Sequence, residues 1–155
     1  MLEQIKYKNK IYALIVRKDF RKKKGVSFFT PNNFNLQFGY MKHQKNYFIK
    51  PHLHKKRLSK IFYTSEVIHL LKGKLRIDFY NDKKNYLFSK IIKANDIITL
   101  IQGSHGFKTI EPVEMLEVMT GPFHENRDKI KFKKVDEKFS AIETRYGSGY
   151  RWNVS

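Results

Sequence analysis

The chain has no cysteine. Disulfides, thiol catalysis and Cys-based zinc or iron–sulfur sites are therefore excluded outright. Long apolar runs are missing too. The longest, such as Ile97 to Ile101, fall far short of the roughly 20 residues a membrane-spanning helix requires. The opening Met1-Leu2-Glu3-Gln4-Ile5-Lys6 holds no apolar stretch of the kind a signal peptide carries, so the expectation is a cytoplasmic protein with no membrane association. Acid is scarce: 14 Asp and Glu stand against 32 Lys and Arg, a formal net charge of +18. What the 155 residues do contain is material for one core, being 41% hydrophobic and 15% aromatic. That composition excludes an intrinsically disordered chain, and the length matches a single domain.

So basic a chain attracts any polyanion. Yet the charge is mostly Lys and is spread over the whole sequence. Its densest run, Arg17-Lys18-Asp19-Phe20-Arg21-Lys22-Lys23-Lys24, stands next to Gly25 and reads as a hairpin loop. Abundant Lys, Ile, Asn, Phe and Tyr with little Ala point to adenine- and thymine-rich codons as the origin of the charge. No helix-turn-helix, RRM or finger pattern accompanies it, so nucleic acid is disfavoured as a partner.

The periodicity is almost entirely β. Tyr12 to Val16 is a short apolar run, and Val26 to Phe29 leads into the turn signal Thr30-Pro31-Asn32-Asn33. Phe34 to Met41 alternates, with Phe34, Leu36, Phe38 and Tyr40 opposed by Asn35, Gln37 and Gly39. Further strands are predicted at Tyr47–Ile49, Glu66–Leu71, Leu75–Tyr80, Tyr86–Ile92, Asp96–Ile101, Gly106–Ile110 and Met115–Met119. Lys72-Gly73-Lys74, Asn81 to Asn85 and Ala94-Asn95 punctuate them. Short strands at such spacing argue for an antiparallel sandwich or barrel.

Candidate chemistry lies with the histidines. His52-Leu53-His54 follows Pro51 at the end of an extended run, and residues two apart on a strand share a face. Glu66 opens an apolar strand, a costly place for a carboxylate unless it is paired or bound to a metal. His105 lies in Gly103-Ser104-His105-Gly106-Phe107, just after another apolar strand. Three imidazoles and one carboxylate suit a divalent metal with open positions, whether Fe, Ni, Mn or Zn.

These residues resemble the cupins, small jelly-roll barrels with a metal in the mouth. The first cupin motif places Gly, His-x-His, Glu and a second Gly in order, and His52, His54, Glu66 and Gly73 fit it with the Glu-to-Gly spacing correct. The gap of eleven residues between His54 and Glu66 exceeds the usual three or four and implies an inserted loop. In the second motif Asn95-Asp96 takes the turn, Ile101 replaces a proline, and Gly103-Ser104-His105 is one residue short. The combination with Arg57, Thr64, Asp78-Phe79-Tyr80, Glu117-Val118, Gly121-Pro122-Phe123 and Asp128 to Phe132 is similar to a group of small bacterial cupins. Met119-Thr120 stand where that group has Lys-Gln. The resemblance implies an all-β, cupin-type double-stranded β-helix (jelly-roll barrel). It forms a single domain over residues 1–155, with a barrel core at about 11–132 and a C-terminal extension at 133–155. It further implies a divalent metal held by His52, His54, Glu66 and His105, and a homodimer joined through edge strands, which an open sandwich must cover.

Each residue also has a plainer reading. The histidines form a hydrogen-bonded polar patch without metal, and Glu66 pairs with Arg57 or a lysine. His69, three residues after Glu66, falls on the opposite face; His43 and His124 are expected in solvent. Arg57 is a candidate fork for a substrate carboxylate or phosphate. Gln37 and Tyr40 are candidate cavity residues, on opposite faces, so that only one can serve. Phe107 is expected in the core, and Glu117 heads a strand beside the ligands or a lysine. A small ligand, a sugar or organic acid, is the expected partner. The leading reaction is isomerase or epimerase chemistry on a sugar or sugar-nucleotide of surface-polysaccharide metabolism. His52 to Lys56 also echoes the His-x-His-Lys-Lys of nucleotide-linked keto-sugar isomerases, cupins whose histidines act without metal. The alternatives are a metal-dependent dioxygenase and a non-catalytic metal- or ligand-binding module.

Overall fold

Apolar and β-branched runs separated by polar turns leave the backbone one economical way to satisfy its N–H and C=O groups, which is lateral pairing. The computed structural model describes residues 1–22, 24–124 and 128–141, and among them the chain forms ten strands. These are β1 (Leu2–Tyr7), β2 (Lys10–Val16), β3 (Gly25–Phe28), β4 (Gly39–Lys42) and β5 (Glu66–Lys72), followed by β6 (Lys74–Tyr80), β7 (Tyr86–Lys93), β8 (Ile97–Leu100), β9 (Ser104–Thr109) and β10 (Glu114–Met119). A single 3₁₀ turn, Glu137–Phe139, follows. No helix among the described residues is long and apolar enough to cross a membrane.

All pairings are antiparallel. A five-stranded sheet runs β1-β2-β8-β5-β10, a three-stranded sheet runs β7-β6-β9, and β3-β4 form a separate ribbon. Ile5, Ala13, Ile15, Ile68, Leu70, Ile98 and Leu100 from the first sheet share one core with Leu75, Ile77, Phe79, Phe88 and Ile92 from the second. The chain passes from sheet to sheet through tight turns. Gly73 sits at φ +83° between β5 and β6, where a Cβ would stand 1.9 Å from the Pro112 carbonyl oxygen. Between β7 and β8, buried Asp96 accepts from the Lys93 N–H (3.0 Å), the Lys18 N–H (2.9 Å) and Arg17 Nη1 (2.8 Å), tying this turn to the end of β2.

The outer face of the three-stranded sheet is polar and yet buried. Arg76 forks onto Asp78 (Nε–Oδ1 2.8 Å, Nη2–Oδ2 3.0 Å), and Ser89 donates to the same carboxylate. A strap of residues 132–141 lies over this face. Glu137 pairs with Arg76 (2.8 Å) and Lys108 (2.9 Å), the Val135 N–H donates to the Tyr80 hydroxyl (3.0 Å), and the Ser89 N–H donates to the Ala141 carbonyl (2.9 Å).

Several expectations are corrected. β1 was not foreseen, because Glu3 and Lys6 break its apolar pattern; it forms because β2 offers a partner edge, while Arg17 (2.6 Å) and Lys90 (4.0 Å) neutralise buried Glu3. The alternating run Phe34 to Met41 yields a strand only at Gly39–Lys42. Upstream, Gln37 Nε2 donates to the carbonyls of Pro31 (2.9 Å) and Phe34 (3.0 Å), and this local bonding replaces a ladder. Tyr47–Ile49 carries no strand. The basic run after β2 is no hairpin, since β2 pairs with β1 and β8 whereas β3 pairs with β4.

Candidate active site

Glu66 opens β5 opposite Leu100 of β8 and Met119 of β10, in the five-stranded sheet. His105 stands near the start of β9, opposite Phe79 of β6, in the three-stranded sheet. Register and sheet packing bring the two together at one end of the core. His105 Nε2 lies 3.1 Å from Glu66 Oε2, a hydrogen bond across the two sheets. Lys129, from the segment leading into the strap, places Nζ 3.6 Å from Glu66 Oε1. The Glu66 side chain is only 5% exposed. Burial pushes its carboxyl toward the neutral form, but the bond and charge of His105 and then the Lys129 ammonium outweigh that and hold it below the ordinary carboxylate range.

An ionised carboxylate can only accept, so it takes the Nε2–H of His105. In the neutral ring that leaves Nδ1 with a free lone pair. The pair is therefore a base whose tautomer and orientation are set by a carboxylate.

A cavity of about 620 Å³ surrounds this pair. Phe62, Tyr63 and Thr64 form one wall, Gln102, Ser104 and Gly106 another, and Asp128 to Phe132 with Lys134 a third. Lys129, Lys131 and Lys134 outnumber the carboxylates Glu66 and Asp128 on its lining, so the cavity favours an anion. Tyr80 also lines it. Burial raises the pKa of its phenol, which accepts from the Val135 N–H and keeps its own proton for donation.

Of the expected metal set, Glu66 and His105 meet while His52 and His54 lie elsewhere. Those two sit on the exposed segment between β4 and β5, their rings 5.2 Å apart and His52 Nδ1 3.0 Å from the Lys50 carbonyl. Among the described residues no three His, Asp or Glu side chains come close enough to hold a metal ion. An ammonium also stands on the free side of the Glu66 carboxylate. In this arrangement the donors do not fit a metal centre.

The expected substrate residues are likewise outside the cavity wall. Arg57 is exposed on the same segment, Gln37 is spent on its own turn, and the Tyr40 ring packs edge-on against Phe20 at 5.3 Å. His69 lies on the opposite face of β5 from Glu66, as its spacing implies, and His124 is exposed. His43 departs from expectation. It stacks on Tyr47 at 4.1 Å, with a buried Nε2 that has no hydrogen-bond partner among the described residues. Phe107 is 40% exposed and not core, its ring 5.2 Å from that of His105, and Glu117 lies within β10, not at its head. Glu66 is paired, but with His105 and Lys129 and not with Arg57. Sequence reasoning assigned no role to Tyr80, Lys129, Lys131 or Lys134. Tyr80 and the segment around Lys129 were visible only as parts of a motif, and nothing local reveals that a segment sixty residues beyond Glu66 turns back onto it.

Compared with known protein families, with curated proteins and with solved structures, the chain finds no match in any of the three.

Proposed function

We infer that this protein binds a small anionic ligand in the cavity and moves a proton on it, as an isomerase or epimerase of a phosphorylated or nucleotide-linked sugar. The single observation that carries the reading is the hydrogen bond between buried Glu66 and His105, set inside a lysine-lined cavity. In this reading His105 Nδ1 removes a proton from the carbon next to a carbonyl. Glu66 stabilises the imidazolium that forms, and Lys129 and the Tyr80 hydroxyl face the negative charge that develops on the carbonyl oxygen. Lys131 and Lys134 hold the phosphate or carboxylate that keeps the ligand in place.

The architecture belongs to the same reading. Successive strands cross from sheet to sheet, β5 to β6, β7 to β8 and β9 to β10, an exchange that supports a jelly-roll barrel of cupin type with this cavity at its mouth. The test is incubation in deuterium oxide with fructose 6-phosphate and with a nucleoside-diphosphate keto sugar, followed by proton NMR. Deuterium entering at the carbon beside the carbonyl, and lost in His105→Ala, supports the assignment. Binding without exchange leaves a non-catalytic ligand module, and neither binding nor exchange overturns the reading.

A second reading retains the four-ligand set His52, His54, Glu66 and His105 for Fe, Ni, Mn or Zn, and it requires the exposed segment carrying His52 and His54 to leave the place it holds here and come to Glu66 and His105. What favours it is that Phe62 to Thr64, on the same segment as the His-x-His pair, already form a cavity wall. It requires near-stoichiometric metal after reloading, lost in a folded His52→Ala/His105→Ala variant.

A further inference from the structure

We propose that residues 20–65 form a surface that lies on an anionic lipid bilayer, held there by exposed apolar side chains and a surrounding excess of cations. All 14 Asp and Glu of the chain fall outside this stretch, while 11 of its 32 Lys and Arg fall inside. Adenine- and thymine-rich codons scatter lysine, but they give no reason for acid to vanish from one region. Nor is the charge spent within the fold. Among the described residues, every ion pair draws its cation from another part of the chain.

Two elements carry the apolar part. In the β3-β4 ribbon Val26 pairs with Met41, and Phe28 follows two residues on, so the three share one face; each is half exposed or more. This ribbon belongs to neither of the core sheets. Beyond it, residues 43–65 hold no strand or helix, and Phe48 is 75% exposed, Leu53 91%, Leu58 fully and Phe62 80%. Asn35, in the loop between β3 and β4, joins the two elements. Its amide donates to the Lys60 carbonyl and its side-chain oxygen accepts from the Ser59 hydroxyl, both at 3.0 Å.

Apolar side chains of this size, left uncovered together, mark an interaction surface, and their neighbours select the partner. Lys45 and Lys50 bracket Tyr47-Phe48-Ile49, and Lys55, Lys56 and Arg57 stand between Leu53 and Leu58. That interleaving suits a headgroup layer, where rings and aliphatic groups enter the acyl boundary while ammonium groups reach phosphate. A single-stranded nucleic acid would meet the cations and stack on the rings. It would leave Leu53 and Leu58, the most exposed of these side chains, in water. The same stretch of another copy would bring like charge against like. The expectation of no membrane association came from the lack of a spanning segment, and a surface that lies on a bilayer needs none. Because Phe62, Tyr63 and Thr64 also wall the cavity, attachment holds the cavity beside the lipid.

The test is co-sedimentation of the full chain with vesicles of phosphatidylcholine alone and of phosphatidylcholine mixed with phosphatidylglycerol. Wild type should pellet with the mixed vesicles only, and rising salt should release it. Leu53→Asp/Leu58→Asp and Lys55→Gln/Lys56→Gln/Arg57→Gln should each stay in the supernatant with unchanged circular dichroism, all five positions being exposed. Lys6→Gln/Lys83→Gln/Lys93→Gln removes the same charge from exposed positions elsewhere and should pellet like wild type. Wild type that ignores the mixed vesicles, or binds both kinds equally, overturns the proposal. So does a control variant that loses binding as fully as the other charge variant, because net charge alone would then explain attachment. Binding to polyuridylate in place of vesicles overturns it in favour of nucleic acid.

Discussion

Asp78 offers the sharpest test of how the polar outer face is held. Its side chain is 6% exposed and that of Arg76 5%, and the two are joined by a bidentate pair at 2.8 and 3.0 Å. Asp78→Ala removes the carboxylate and leaves the guanidinium buried, with Glu137 at the rim as its remaining ionic partner among the described residues. Ser89 loses its acceptor in the same step. Deleting one partner of a buried pair costs about 3–5 kcal/mol when the charge left behind is uncompensated, and the bond Arg76 keeps to Glu137 (2.8 Å) puts the expected loss at the low end, about 3 kcal/mol. For a chain of this length about 1 kcal/mol moves Tm by roughly 2–4 °C, so the variant should melt roughly 6–12 °C lower. The double variant Arg76→Met/Asp78→Leu leaves no charge stranded and should recover most of that loss, while Ser89 keeps its bond to the Tyr86 hydroxyl (2.8 Å). Calorimetry and urea titration of the three proteins decide it. An Asp78→Ala protein within about 1 kcal/mol of wild type, or a double variant no better than the single one, would refute the reasoning.

Four other outcomes are expected. His105→Ala should lower turnover by about 10²–10⁴-fold with ligand binding largely kept, and Glu66→Gln should act in the same direction by loosening the imidazole, read from kcat and KM separately. Gly73→Ala should destabilise by at least about 1–2 kcal/mol for the left-handed backbone alone, and by more for the clash with the Pro112 carbonyl, seen as a lower urea midpoint. Salt bridges to Arg76 and Lys108 hold the Glu137 carboxyl down at about 2. A lowered folded pKa gives stability that is present above the unfolded value near 4.5 and is lost as pH falls from there toward 2. Glu137→Gln should flatten that part of the acid-unfolding curve. Tyr80→Phe leaves the Val135 N–H without its acceptor, a loss of about 1–3 kcal/mol that chemical denaturation would register together with any fall in turnover.

Strand identity was legible where short apolar or alternating runs stand between turn residues. β5 to β10 fall where alternation and turn residues put them, and Gly73 and Asn95 take the positive φ that their turns require. Legibility failed where polar side chains bond their own backbone, as Gln37 does, or where a strand depends on a neighbour's edge, as β1 does. Glu66 was singled out because a carboxylate heading an apolar strand needs a partner or a metal, and in the structure it is paired with His105 and Lys129. The partner itself was not readable.

The sequence by itself determined the class of fold, the absence of thiol chemistry, the strong positive charge and the residues most costly to bury. These follow from composition and from periods of two, which are local. Only the tertiary structure decided that Glu66 meets His105 across two sheets, that Lys129 returns to the same carboxylate, and that His52 and His54 stand apart from both. Those are matters of register and of how two sheets stack, and they arise from many weak contacts summed over distant residues, which no short stretch of sequence records.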